Sequence, residues 1–521
     1  MRVLILGNDN FAAPLARRGA EVLRAGTSAE AEVPLTEPDP DWPTLAAALR
    51  ARGFVPDLVL VTDDVGWRKL PLGLAACPAV TCFYAVDAPL NRFWQQAYAH
   101  LCDLALFDQP AEARLAAQSH AGAHWLPVGV ATEHYGGKRQ AAPAPGVCFV
   151  GVVDPRVRPK RSAVLARVAR QAPLALRGGR QEQWFSTAEA VALYQSHQVV
   201  LNENLFPGVT TRPLEVLAAG GFLLTEAAPG AMDQFFTDGE ELVYYTPETL
   251  DQRLAAALAD PAGCARVAAR GREAVLSGHT LDQRAGVILE LAAALATLPP
   301  DQRPRASQAQ ARLWEGEALV QAGLRWPAKH GARRLRRGLA RLGSLAEAEA
   351  PARVWSLAGL ARLAGGDPAA ATELLARAAA RGDPLADLRL VLAAPEGGAD
   401  EAGRQARRRL AAEDPALART FGDLEFHLAA ARRLAALGED LTPGFDRRGL
   451  PPAWWGAWEH LRHAAGRHPG EPRPWTAAGD LLLNRGAPNE AHLCYTRAQA
   501  AGKGPDLAAK LAQAARQGYL A

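Results

Sequence analysis

The chain has 521 residues, which is more than one hydrophobic core accommodates and predicts about three or four folding units. Of its residues 49% are hydrophobic and 22% are charged, and the net charge of +3 argues against a dedicated nucleic-acid-binding protein. The six cysteines are scattered without a CxxC pair, which is typical of free thiols in a reducing compartment. No apolar run approaches the roughly 20 residues of a membrane span, and residues 3–7 are too few for a signal peptide. We therefore expect a cytoplasmic protein that has no transmembrane segment and binds no nucleic acid.

Residues 1–140 alternate short apolar runs with amphipathic stretches. The sequence predicts buried strands at residues 3–7, 57–61, 80–85 and 104–107, with helices at 42–52 and 91–101. This alternation indicates βαβ units and a parallel sheet, so we predict an N-terminal Rossmann-like lobe. The alanine- and proline-rich residues 141–146 are typical of a linker.

Residues 146–298 repeat the pattern and predict a second Rossmann-like lobe with closing helices. Strands are expected at 147–152, 174–177, 198–201, 222–225 and 241–245, and helices at 160–171, 187–197, 212–219, 248–259 and within 262–298. The fold class is therefore α/β, with two lobes and a ligand cleft at the carboxyl ends of both sheets.

Residues 305–521 carry no convincing strand and predict an all-α domain. The spacing of Trp355, Gly359, Ala371 and Ala378 recurs in Trp475, Gly479, Ala491 and Ala498. It matches the tetratricopeptide repeat of about 34 residues, in which small residues let paired helices approach closely. Residues 457–469 match a further partial copy, whereas residues 385–452 cannot be placed in register.

The most informative segment is residues 201–225, LNENLFPGVTTRPLEVLAAGGFLLT. It predicts the end of a buried strand, a polar loop, a helix and a second buried strand. The loop and the helix start expose backbone N–H groups together with the hydroxyls of Thr210 and Thr211, which suits a diphosphate. Arg212 adds a planar cation, and the carboxylate of Glu215 can accept both hydroxyls of a ribose.

This segment resembles the donor-binding motif of GT-B glycosyltransferases, specifically their CgeB-like (spore maturation protein) branch. The resemblance continues at residues 83–94, 103–109, 125–129 and 148–151 and covers most of residues 1–290. It implies transfer of a sugar from a UDP-, GDP- or TDP-linked donor, without a further cofactor or a tightly bound metal. The donor-binding residues that it implies are Glu215, Arg212, Thr210, Thr211, Asn202, Asn204, Gly208, Gly151, Lys160, Arg161 and Gly178.

The chain departs from the broader retaining group at one position. That group often carries a glutamate eight residues before the one that matches Glu215, and Pro207 stands there in this chain. The stereochemical outcome is therefore open, and Asn202 or Asn204 could replace the missing contact to the sugar.

Asp87 is the candidate general base, because it follows an N-lobe strand at the presumed cleft and an inverting transferase needs a proton acceptor. The alternative is that Asp87 caps the following helix or holds the turn before Pro89. Lys160 and Arg161, in a stretch that also contains Arg156 and Arg158, could stabilise the departing diphosphate.

Other polar features have simpler interpretations. Gly7 and Asn8 form a candidate acceptor-side loop that lacks the GxGxxG pattern of dinucleotide sites. Asp39 and Asp41 suit a turn and a helix cap better than a metal site. His460, His463 and His468 are expected on the surface, and the basic run at 329–341 is expected to be a solvated helix face.

We therefore predict a glycosyltransferase whose repeat domain recruits an acceptor, possibly a protein. One alternative is a non-catalytic scaffold with a degenerate GT-B module, supported by Pro207. The other is a sugar-nucleotide epimerase, which shares the two-lobe fold.

Overall fold

The structure is a computed structural model. It describes residues 1–26, 31–37, 39–63, 70–135, 143–155, 158–178, 186–326, 330–345, 351–393, 401–439, 447–504 and 506–520. The predicted phosphate-side Arg156 lies outside these residues. The described chain divides into two compact units, Met1–Pro89 with Ala99–Ser307, and Leu90–Tyr98 with Gln308–Ala521.

The first lobe of unit one is built on a seven-stranded parallel sheet. Its strands are β1 (Arg2–Leu6), β2 (Glu21–Gly26), β3 (Val33–Pro34), β4 (Leu58–Thr62), β5 (Val80–Ala85), β6 (Leu104–Phe107) and β7 (Ala123–Trp125). Their order, β3-β2-β1-β4-β5-β6-β7, is doubly wound and reverses direction between β1 and β4. The helices of this lobe are α1 (Ala12–Arg17), α2 (Trp42–Arg50), α4 (Pro110–Ala117) and α5 (Thr132–Tyr135). Helix α3 (Ala88–Ala99) follows β5, and its residues Leu90–Tyr98 belong to unit two.

The second lobe has a five-stranded parallel sheet. Its strands are β8 (Ala144–Val150), β9 (Leu174–Arg177), β10 (His197–Asn202), β11 (Leu223–Glu226) and β12 (Val243–Tyr245). They lie in the order β12-β11-β10-β8-β9, with the reversal between β8 and β10. The helices are α6 (Pro159–Ala169), α7 (Thr187–Ser196), α8 (Thr211–Ala218), α9 (Leu250–Ala259) and α10 (Pro261–Gly278).

Helix α11 (Leu281–Ala296) carries the chain from the second lobe back to the first. Its buried residues Ala285, Ile288 and Ala292 join the core formed by β1, β4, β5 and β6. At the crossing, the backbone N–H of Leu281 donates to the carbonyl of Val130. The last helix of the α/β unit therefore stabilises the N-terminal lobe.

The predicted fold class, two Rossmann-like lobes followed by a helical region, is confirmed. Strands β5, β6 and β9 have the predicted bounds, because each is an apolar run that is bounded by polar or turn-forming residues. The predicted linker was wrong in its last residues, since Ala144 and Gly146 belong to β8 and Ala144 pairs with His197. Residues 136–142 lie outside the described residues.

Unit two consists of helices. They are α12 (Gln308–Arg325), α13 (Ala332–Gly343), α14 (Ala352–Ala364), α15 (Pro368–Ala380), α16 (Ala386–Ala393), α17 (Glu401–Glu413), α18 (Leu424–Ala436), α19 (Ala457–Arg467), α20 (Arg473–Asn484), α21 (Pro488–Ala501) and α22 (Leu507–Gln517). Their apolar faces share one core that includes Leu360, Leu388, Phe426 and Tyr495.

The two copies found by sequence spacing make equivalent contacts. A Cβ added to Gly359 on α14 would lie 2.9 Å from Leu375 on α15, and one added to Gly479 on α20 would lie 2.3 Å from the Tyr495 ring on α21. In both pairs the glycine lets the second helix approach until its large residue touches the first helix backbone. The spacing therefore identified two helix pairs that pack in the same way.

The expectation that His460 and His463 lie on the surface was wrong. His460 is fully buried, and its Nδ1 lies 2.9 Å from Nδ1 of His427 on α18. The ring of His463 is half-buried with its centroid 4.8 Å from that of His427. The reason is that α18 packs on this face of α19, which the polarity of histidine does not reveal in the sequence.

Candidate functional site

The predicted donor-binding residues meet at the carboxyl edge of the second sheet. Gly151 follows β8, Gly178 follows β9, Asn202 ends β10, and α8 begins at Thr211. Because the strands are parallel, their carboxyl ends and the start of α8 lie at one edge. The reversal of strand order between β8 and β10 leaves a crevice there, where α/β proteins bind ligands.

Gly151 and Gly178 pack backbone against backbone at this edge. Gly178 has a φ of 95°, and a Cβ on it would lie 2.8 Å from the carbonyl oxygen of Gly151. A Cβ on Gly151 would lie 2.9 Å from Nη2 of Arg212 and 3.4 Å from Nη1 of Arg161. The lack of a side chain at Gly178 therefore permits the close backbone contact, and the lack of one at Gly151 leaves room for the two guanidinium groups.

Arg161 and Arg212 are held close together in spite of their like charges. Each guanidinium carbon lies 5.2 Å from the centre of the Phe149 ring. Nη1 of Arg212 also donates to Oδ1 of Asn202 at 3.3 Å. Burial lowers the pKa of Arg212, and the charge of Arg161 lowers it further. Two fixed cations in a partly dehydrated crevice favour a bound anion such as a diphosphate.

Two carboxylates that the sequence analysis did not single out hold the cations at the start of α6. Oε2 of Glu203 accepts from Nε of Arg161 at 2.8 Å, and its Oε1 lies 3.2 Å from Nζ of Lys160. Oε2 of Glu226 also accepts from Lys160, at 2.8 Å. Burial alone would lower the pKa of Lys160, but these two carboxylates raise it. The sequence feature that could have identified Glu203 and Glu226 is a charged residue at the end of each of two buried strands.

The side chains of Asn202 and Asn204 make hydrogen bonds within the second lobe. Nδ2 of Asn202 donates to Oδ1 of Asn204 and to Oγ1 of Thr225, both at 2.9 Å. Nδ2 of Asn204 donates to the carbonyl of Glu226 at 2.8 Å. With its Oδ1 bonded to Arg212, the Asn202 amide therefore orients that guanidinium and joins the ends of β10 and β11.

Glu215 lies on α8, one turn beyond its start. Burial raises the pKa of this carboxyl, while a hydrogen bond from the Tyr135 hydroxyl and the charge of Arg212 lower it. Within the described residues, Thr210 makes no side-chain capping bond to the first turn of α8. That turn and the Thr211 hydroxyl can therefore donate to an anion.

The loop before α8 touches the first lobe. Nε2 of Gln109, the residue directly before α4, donates to the carbonyl of Val209 at 2.7 Å. The backbone N–H of Val209 donates back to Oε1 of Gln109 at 3.0 Å. A Cβ on Gly208 would lie 1.9 Å from that same Oε1. This explains why a glycine stands at the predicted donor-loop position 208.

Asp87 lies at the carboxyl edge of the first sheet, directly before α3. It has a φ of 51°, and its backbone N–H donates to Oδ2 of Asp108 at 2.8 Å. Asp108 also accepts from the backbone of Ala88 at 3.2 Å, so Asp108 supplies acceptors at the start of α3. Burial, with a smaller contribution from the charge of Asp87, raises the pKa of Asp108 to about 7. The edge thus holds two neighbouring carboxyl groups.

The loop of Gly7 and Asn8 lies where the strand order of the first sheet reverses. Gly7 has a φ of 112°, and a Cβ there would lie 2.0 Å from the carbonyl oxygen of Thr62. Oγ1 of Thr62 donates to the carbonyl of Asn8 at 2.7 Å. The loop is therefore held against β4 at the position where such sheets bind ligands.

The sequence analysis expected neither a tightly bound metal nor a transmembrane segment. Asp39 is fully buried and accepts from the backbone N–H of Leu70 at 3.3 Å, which is a structural role. Within the described ranges, no group of three or more potential ligand side chains is arranged to hold a metal ion. In the same part of the chain, no helix combines the length and apolarity needed to cross a bilayer.

Comparison with known proteins identifies the kind of domain that carries this site. Residues 160–290, which contain Lys160, Arg161, Asn202, Arg212 and Glu215, match the family described as "Glycosyl transferase-like". No curated protein sequence is significantly similar to the chain. The chain contains a glycosyltransferase domain, as predicted from the sequence.

Several solved structures are similar at low identity. HepE of Anabaena, in complex with UDP-glucose, is 13% identical with a TM-score of 0.39 over 57% of this chain and 100% of that chain. Sucrose-phosphate synthase from Thermosynechococcus elongatus is 12% identical with a TM-score of 0.40 over 57% and 99%. The glycosyltransferase SnogD from Streptomyces nogalater is 19% identical with a TM-score of 0.32 over 56% and 99%.

Proposed function

We propose that this protein transfers a sugar from a nucleotide-diphosphate donor, and that the donor binds at the carboxyl edge of the second sheet. The observation that carries this proposal is the pair of neighbouring guanidiniums, the buried Arg161 and the half-buried Arg212, beside Gly151. They stand next to the uncapped start of α8 and within the segment of the transferase family match. Together they provide fixed N–H donors where a diphosphate would sit, with the charge of Arg161 shared with Glu203.

The reaction breaks the bond between the sugar C1 and the diphosphate oxygen, and an acceptor oxygen forms the new bond to C1. Negative charge then develops on the departing diphosphate. Fixed donors stabilise such charge because they need no reorientation during the reaction. Arg161 and Arg212 are oriented by Glu203 and Asn202 before the donor arrives.

Glu215 is proposed to accept hydroxyl groups of the donor. Its carboxylate already accepts a hydrogen bond from Tyr135, which fixes its orientation and leaves lone pairs for a further donor. The side chains of Asn202 and Asn204 are proposed to support the site from inside the lobe, because their hydrogen bonds lead to Thr225, Arg212 and Glu226.

Asp87 is proposed as the base that takes the acceptor proton. It lies at the carboxyl edge of the first sheet, and its charge acts on Asp108. Gly7 and Asn8 are proposed to contribute to the acceptor side from the neighbouring switch point of that sheet.

More specifically, we propose that the chain is a CgeB-like transferase of the GT-B type with a tetratricopeptide-like domain. The motif at residues 201–225 supports the first part, and the equivalent contacts of Gly359 and Gly479 support the second. Such repeats present surfaces to peptides or helices, so we propose that residues 305–521 recruit a protein acceptor. The scattered, buried cysteines suit a cytoplasmic protein.

Binding of UDP, GDP and TDP to the full-length chain tests the donor site. We expect one nucleotide to raise the Tm of the wild type, and Arg212→Lys and Glu215→Ala to remove the shift. Arg266→Lys, an exposed arginine on α10, is the matched control and should keep it. If no nucleotide diphosphate shifts the wild type, the proposed donor site is wrong.

Turnover separates the enzyme from its alternatives. A transferase should slowly hydrolyse the sugar of the bound donor in the absence of acceptor. Binding without hydrolysis or transfer would favour a non-catalytic scaffold, and interconversion of two nucleotide sugars would identify an epimerase.

A further inference from the structure

Gln109 joins the two lobes through its side-chain amide. The amide exchanges two hydrogen bonds with the backbone of Val209, at 2.7 and 3.0 Å. Each of the two residues is only 1% exposed. An amide that pairs with a peptide group in both directions reproduces the pairing of two neighbouring strands. Both backbone groups of Val209 are thus satisfied by one residue of the other lobe.

The loop around Val209 is shaped to receive this amide. A Cβ on Gly208 would lie 1.9 Å from Oε1 of Gln109, closer than any unstrained contact. The side chain of Val209 is buried in the core of the second lobe, so the loop is anchored on one side by that core. On the other side it is anchored by Gln109.

The position of this loop decides the geometry of the donor site. Val209 immediately precedes Thr210, after which α8 begins with Thr211 and Arg212. A rotation of the Val209 peptide would therefore move the start of α8 and the guanidinium of Arg212. The first lobe holds that peptide, although it supplies none of the proposed donor contacts.

Gln109 also reaches the acceptor side. Its side chain hydrogen-bonds Asp108, the carboxyl group that accepts from the backbone of Asp87. One amide therefore connects the turn of the proposed base to the loop of the proposed donor site.

We propose that Gln109 is a positioning residue that makes the donor site complete only while the two lobes are together. This inference rests on the proposed transferase function. Separation of the lobes would break two buried hydrogen bonds and release the Val209 peptide. The geometry of the donor loop is thereby coupled to closure of the cleft.

Hydrogen exchange of the Val209 amide and UDP binding by the full-length protein test this proposal. In Gln109→Ala we expect the Val209 amide to exchange faster and the Kd for UDP to rise on the order of tenfold, as two lost hydrogen bonds imply. Gln118→Ala, an exposed glutamine just beyond α4, is the control and should change neither quantity.

A double variant distinguishes positioning from general destabilisation. Gly208→Ala should weaken UDP binding in the wild type, because the new methyl group meets Oε1 of Gln109. In the Gln109→Ala background the same change should cost little, so the two effects should be strongly non-additive. Additive effects would overturn the proposal.

Two further outcomes would also overturn it. The first is faster exchange at Val209 with an unchanged Kd for UDP, since the site would then form without the contact. The second is unchanged exchange in Gln109→Ala. Failure of the wild type to bind any of UDP, GDP and TDP counts against the proposed function, while exchange measured without ligand still shows whether Gln109 holds the loop.

Discussion

Glu203 accepts a hydrogen bond from Nε of Arg161 at 2.8 Å, and both side chains are buried, with 3% and 8% of their surfaces exposed. The same carboxylate lies 3.2 Å from Nζ of Lys160, which also binds Glu226. Two cations at the start of α6 are therefore balanced by two carboxylates from the ends of β10 and β11. The proposed donor site is held in shape by this internal charge pairing before any ligand arrives.

Removal of the Glu203 charge should destabilise the fold. In Glu203→Gln, a buried cation loses its counter-ion, and breaking a buried pair in this way costs about 3 kcal/mol. Urea denaturation of the full chain measures the loss. Glu133→Gln is the control, since its pair with Arg17 is exposed and contributes at most about 1 kcal/mol. Equal stability of Glu203→Gln and the wild type would contradict this account.

Asp87→Asn should keep the fold and lose transfer. Asparagine tolerates the left-handed backbone that Asp87 adopts, so we expect stability to change by less than about 0.5 kcal/mol. Loss of a general base lowers turnover about 100-fold or more. The measurements are thermal unfolding and the transfer rate with saturating donor. Unchanged turnover would remove Asp87 from the mechanism and leave it a role in the turn before α3.

Gly479→Ala should destabilise the helix pair of α20 and α21. The added Cβ would lie 2.3 Å from the Tyr495 ring, and such overpacking costs about 1–3 kcal/mol. In a Tyr495→Ala background the same change should cost almost nothing, because the ring is gone. Gly466→Ala on α19 meets no atom within 4 Å and should be neutral or slightly stabilising. Urea denaturation compares the four variants, and equal costs in both backgrounds would refute the packing argument.

The buried histidines should make the helical unit sensitive to acid. Burial, together with the charges of His463, His468 and Arg467, lowers the pKa of His427 from its ordinary 6.5 to about 4. The unfolded chain therefore binds the proton more readily than the folded chain does. The contribution of His427 to the free energy of unfolding is therefore fully present above about pH 6.5. It decreases as the pH drops towards 4, by on the order of 3 kcal/mol.

Tm measured between pH 4 and 7 checks this expectation. His460, fully buried against His427, also has a lowered pKa because of burial and the neighbouring positive groups His427, His463 and Arg447. The variant His427→Phe/His460→Leu removes this pair of titrating groups and should make the fall in Tm towards pH 4 less steep. His134→Gln, an exposed histidine, should leave it unchanged. An equal fall in Tm for the wild type and the double variant would show that the pair does not titrate on unfolding.

The sequence by itself determined the order of the lobes, most of their strands and the segment that forms the proposed donor site. These features are local: a buried parallel strand is a continuous apolar run, and residues 201–225 contain the loop, the helix start and Glu215 in one stretch. Only the tertiary structure decided which polar groups meet. Arg161 and Glu203 are separated by 42 positions, His427 and His460 by 33, and Gln109 and Val209 by 100. Such pairs depend on how sheets and helices pack against each other, and neither residue of a pair carries a local pattern that names its partner.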